Sequence, residues 1–71
     1  MNPLERLWGA AFEYAAQRLA GFADGDDVAA GFASMVVKEH RSYNLGEPFP
    51  DFQGALGNAL ERYAPHLVAA L

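Results

Sequence analysis

The densest run of functional groups in the chain is Lys38, Glu39, His40, Arg41, Ser42, Tyr43 and Asn44. An imidazole titrates near neutrality and could act there as a general base or a ligand, while the guanidinium fork of Arg41 could grip a carboxylate or a phosphate. With Tyr43 and Glu47 close by, such a group would make a small-molecule or catalytic site. The same pattern has a plainer cause. Cations gather at the C-terminus of a helix to satisfy its last carbonyls and its dipole, and polar residues fill the loop beyond. The segment therefore reads first as a helix end, then as a partner-binding hot spot, and only last as a site of catalysis.

Other chemistries are weaker still. A metal site would need His40 and His66 to converge with Glu39, Glu47, Asp51 or Glu61, yet no pair shows the i, i+4 histidine or Glu-x-x-His spacing that helical metal sites use. Asp24, Asp26 and Asp27 resemble the start of a calcium loop, but the fifth loop position is Val28 and the twelfth, where a bidentate glutamate is needed, is Met35. No phosphate-binding glycine loop occurs, and nothing reads as a strand to which one could attach. Ser34 and Ser42 are the only serines, and neither lies in a nucleophile motif. No metal, cofactor or enzymatic activity is expected.

These residues must be held by a small body. The chain has 71 residues, 52% of them hydrophobic, which allows one domain over 1–71 with a core near the lower size limit for independent folding. There is no cysteine, so disulfides are excluded, and self-association is the remaining way to add buried surface. The N-terminus carries Glu5 and Arg6 without a basic region followed by an apolar one, so no signal peptide and a cytoplasmic location are expected. The longest uncharged stretch, Val28 to Val37, is about half a membrane span. The net charge of −4, with only five Lys and Arg, disfavours nucleic acid and anionic lipid as partners.

Apolar periodicity predicts an all-α fold of three helices. Leu4, Leu7, Trp8, Ala11, Ala15, Leu19 and Phe22 recur at spacings of three and four, giving a first helix over about 3–21. Asn2 and Pro3 read as its cap and first position, and Gly21 or Gly25 as its left-handed stop. A second helix is expected over about 27–41, capped by Asp24 or Asp26. Its apolar residues Val28, Ala29, Phe32, Ala33, Met35, Val36 and Val37 cover a wider band than one neighbour can hide, leaving Ala30, Ser34, Lys38 and Arg41 outward. That helix must be central or paired with another chain.

Residues 42–50 break the pattern with Asn44, Gly46, Pro48 and Pro50, while Tyr43, Leu45 and Phe49 are apolar enough to fold back over the core. A third helix is expected over about 51–64, stopping at Pro65 and restarting as a short fourth turn over 65–71. Gly54 and Gly57 each cost it about 1 kcal/mol relative to alanine, which fits close approach of another backbone.

By elimination, the sequence reads as a non-enzymatic protein-interaction module. Such a module would be a self-associating homodimer, a small acidic inhibitor of phage or accessory origin, or an accessory subunit docking on a larger protein. The partner-binding candidates are Phe12, Tyr14, Ala33 and Val37 at the rim of the core, with Lys38, His40, Arg41 and Tyr43 beyond them. Two alternatives stand behind it. One is the small-molecule or catalytic site around His40, Arg41 and Tyr43. The other is a helix-turn-helix-like DNA-binding domain, whose third helix would offer only Gln53, Asn58, Glu61 and Arg62 from an acidic chain.

Overall fold

The computed structural model describes the backbone of residues 2–43 and 51–70 and the side chains of residues 2–40 and 51–66. Among the described residues the architecture is all-α, with α1 over Pro3–Arg18, α2 over Gly25–Tyr43 and α3 over Phe52–Ala70. The expected lid residues Leu45 and Phe49, and the side chains of Arg41 and Tyr43, lie outside the described residues.

Helix α1 starts where its capping chemistry says it should. Asn2 is extended at φ −64° and ψ 136°, its Oδ1 accepts the Leu4 N–H at 2.9 Å, and Pro3 fills a position whose N–H needs no partner. The end comes earlier than the sequence indicates. Leu19 closes the helix by donating its N–H to the Ala15 carbonyl at 2.9 Å, and neither Gly21 nor Gly25 acts as the stop. The turn over 19–24 is then held by bonds from Phe22 N–H to the Leu19 carbonyl at 3.0 Å and from Gly25 N–H to the Phe22 carbonyl at 3.1 Å. Gly25 opens α2 instead, and glycine is required there because a β-carbon would collide with the Leu19 carbonyl oxygen. Asp24 takes the capping position, its carbonyl accepting the Val28 N–H at 3.0 Å, and Asp26 and Asp27 place negative charge on the positive end of the helix dipole.

Among the described residues the core is built from three positions of α1 (Leu7, Ala11, Ala15), Leu19 just beyond its end, five of α2 (Val28, Ala29, Phe32, Ala33, Val36) and two of α3 (Leu56, Leu60). Phe32 is the one large side chain among them that is fully enclosed. Helix α2 packs on both neighbours, most extensively on α1, whereas α1 and α3 touch little. The wide apolar band of α2 is therefore explained inside the chain: Val28, Ala29, Phe32, Ala33 and Val36 are buried, and only Met35 and Val37 stay half-buried. Of the two alternatives the sequence left open, the central position of the helix accounts for the band.

Two further expectations change. Helix α3 runs through Pro65 without stopping, so there is no separate fourth turn. The proline forfeits one backbone hydrogen bond at a cost of about 3 kcal/mol, but only residues 66–70 of the helix lie beyond it. Phe22 and Trp8, placed in the apolar stripe of the first helix by their spacing, are 63% and 36% exposed. Phe22 falls in the turn once α1 ends at Arg18, and Trp8 sits at the edge of the stripe rather than its centre. No helix of the described residues is long and apolar enough to cross a membrane.

Candidate functional site

Trp8 and Phe12 stand one helical turn apart on α1, so their side chains meet on one face. Their rings stack with centroids 5.2 Å apart and planes inclined by 9°. Phe12 is half-buried against the core, and it holds Trp8 as an aromatic ledge on the outer side of the α1–α2 seam. Across the seam, the indole Nε1–H of Trp8 donates a long hydrogen bond of 3.4 Å to Ser34 Oγ. Ser34 belongs to the outer stripe of α2 that the helical period runs through Asp27, Ala30, Ser34 and Lys38, all exposed except the half-buried Ala30. An orientated indole, with its polar edge satisfied and part of its face open, is the kind of group that carries binding energy at protein interfaces.

Comparison with protein-family models, with curated proteins and with solved structures finds no match for this chain. Its function has to be argued from its own residues.

The second cluster lies where α3 meets the C-terminal half of α2. The Tyr63 hydroxyl donates a short hydrogen bond to Glu39 Oε1, and the Arg62 guanidinium carbon lies 4.8 Å from the centroid of the Tyr63 ring. The hydrogen bond to Glu39 is the main reason the Tyr63 phenol is held above the usual tyrosine value; burial and the Glu39 charge add to it, and Arg62 opposes it. Beside this lock is a cleft of about 150 Å³ lined by Val36, Glu39, His40, Phe52, Leu56 and Arg62. Small-molecule sites usually occupy about 300–1,000 Å³, so the cleft is too small for most of them.

A third feature is an open groove of about 390 Å³ between α1 and α3, with Tyr14 and Leu56 on its floor and Glu13 and Gln17 at its edge. The Arg18 guanidinium carbon stacks 3.8 Å over the Tyr14 ring. The Tyr14 hydroxyl reaches α3 at Gly57, where a β-carbon would stand 2.8 Å from it. The close approach inferred from the glycines of α3 is real at Gly57, but the visitor is a tyrosine hydroxyl rather than another backbone. At Gly54 the neighbour is the carboxylate of Asp51, whose carbonyl also accepts the Ala55 N–H at 3.0 Å at the start of α3.

The structure separates the residues singled out by sequence. Phe12 joins the Trp8 ledge, Tyr14 faces α3, Val37 is half-buried and Lys38 is exposed on α2. Ala33 is fully buried inside the chain and cannot meet a partner. His40 is half-buried with its Nδ1 enclosed, lining the small cleft beside Glu39 and Arg62 rather than a site shared with described partners from the following loop. Among the described residues no three His, Asp or Glu side chains come together as metal ligands. Trp8, Ser34, Asp27 and the Tyr63–Glu39 pair were missed. Trp8 carried a signal in its position at the margin of the apolar stripe, whereas the Tyr63–Glu39 pair depends on how α3 docks and left no trace in local spacing.

Proposed function

We propose that this chain is a non-enzymatic protein-interaction module that docks through the Trp8–Phe12 ledge on the α1–α2 face. The observation that carries this reading is a stacked, partly exposed tryptophan fixed by a hydrogen bond to the neighbouring helix. Two things make such a group suitable for docking. Its orientation is set before any partner arrives, which lowers the entropy cost of binding, and its open face offers apolar area that water covers poorly. Of the partner-binding candidates named from the sequence, this surface keeps Phe12 on α1 and Lys38 on the outer stripe of α2 and adds Trp8 and Ser34. An acidic inhibitor or an accessory subunit of a larger protein would use this surface in the same way.

The test compares the chain with its Trp8→Ala variant as bait in lysate of the native host. The variant must first show unchanged helicity by circular dichroism. A protein retained by the native chain and lost with Trp8→Ala supports the reading. Identical captured sets from the two baits would end it.

A further inference from the structure

The Trp8–Phe12 face shows a symmetry that points to one occupant. Along the outer stripe of α2, negative charge stands at the N-terminal end (Asp27, with Asp26 next to it), positive charge at the other (Lys38), and the middle (Ala30, Ser34) is uncharged. A second α2 laid antiparallel on this stripe would place Asp27 opposite Lys38 at both ends. Helix α1 returns beside α2 after the turn over 19–24 and brings Trp8 level with Ser34. Counting residues from that bond along the two helices of the hairpin, the midpoint between Asp27 and Lys38 falls within one residue of the midpoint between Trp8 and Phe12. One two-fold axis through that point satisfies both relations. It lays Trp8 of one chain over Phe12 of the other while pairing the charges, as a self-complementary patch requires.

We infer that the α1–α2 face docks a second copy of this chain as an antiparallel two-fold dimer, with Trp8 and Phe12 at its centre and Asp27 facing Lys38 at its ends. This rests on the reading of the ledge as a docking surface and names what fills it. The charge pattern argues for a copy of the chain over a basic partner, because a uniformly basic surface would be repelled at Lys38. Lys38 also interacts within its own chain, so the cross-chain pair is a shared one and modest in strength. The uncharged centre supplies the affinity and the ends fix direction and register. A chain of 71 residues, with Phe32 the one large side chain fully enclosed among the described residues, gains buried apolar surface by this pairing.

Sedimentation equilibrium of the full chain over a concentration series tests it. A concentration-dependent dimer is expected, weakened at least tenfold by Trp8→Ala. Lys38→Glu makes both ends of its own dimer repulsive, and Asp27→Lys does the same with the opposite sign, so each alone should associate roughly tenfold more weakly. Mixed together, the two variants should form a heterodimer, because every end then faces its opposite. A native chain that stays monomeric up to about 1 mM overturns the inference. So does a dimer that ignores Trp8→Ala or shows no preference on mixing. A monomer that still captures another protein in a Trp8-dependent way would overturn the second-copy inference alone and leave the docking role standing.

Discussion

The seam between α1 and α2 and the seam between α2 and α3 are made in opposite ways. The first is the more extensive and rich in alanine: Ala11 and Ala15 of α1 and Ala29 and Ala33 of α2 have no exposed surface. Among the described residues the second contributes Leu56 and Leu60 from α3 to the buried core, keeps a cleft of about 150 Å³ beside them, and is fastened at its far end by the polar pair Tyr63–Glu39. The contrast shows a helical hairpin that carries most of the stability, with a third helix docked on it more loosely. Local opening should follow that division, since segments with few buried apolar contacts open first.

The most severe way to break the comparison is Phe32→Ala, which empties the centre that serves both seams. A loss of about 3–5 kcal/mol is expected, against a total of about 4–10 kcal/mol for a chain of this length, so urea titration should show it largely unfolded. Ala33→Leu strikes the alanine seam alone. Forcing three more carbons into a closed interface should cost about 1–3 kcal/mol in the same titration. The equivalent change on the other side, Ala55→Leu, adds the same carbons where the α2–α3 cleft has space for them, and should raise stability by about 0.5–1 kcal/mol. If Ala33→Leu and Ala55→Leu proved equally harmful, the two seams would not differ as described.

Gly57 sharpens the comparison further. Gly57→Ala alone should change stability little, because about 1 kcal/mol of helix propensity is offset by the clash with the Tyr14 hydroxyl. In a Tyr14→Phe background the same substitution should stabilise by about that amount, and a double-mutant cycle reads the difference.

The smallest effect concerns Tyr63. Its phenol is held above the usual 10.0 by the bond to Glu39, so the folded state prefers the neutral form more than the unfolded state does. That contribution is complete below pH 10 and is lost as the pH rises through the folded value. Thermal melts of the native chain and Tyr63→Phe should therefore differ slightly at neutral pH, and should converge or cross above pH 10. A gap that does not change with pH would show that the Glu39 bond does not fasten α3.

Parts of this organisation were legible in the sequence and parts were not, for physical reasons. The i, i+4 repeat of Leu7, Ala11, Ala15 and Leu19 announced the buried face of α1, and Asn2–Pro3 announced its start, because both are local properties of one helix. The seven-residue apolar band of α2 was legible as a fact but not as a consequence. Whether it needs a second molecule depends on whether α1 and α3 take different faces, which they do. Trp8 was assigned inward because period alone cannot say where the margin of a buried face falls; that depends on how the neighbouring helix packs against it. Pro65 looked like a stop because its local cost is large, yet a single lost bond near a helix end does not prevent the helix from continuing.

Trp8 is the only tryptophan in the chain, and its indole is held at the rim of the fold with one face to water. The molecule thus carries a built-in optical reporter on the face proposed for docking. Its emission should shift to shorter wavelength when that face is covered and to longer wavelength when the hairpin melts, so a single unlabelled sample can tell assembly from unfolding by the sign of the change.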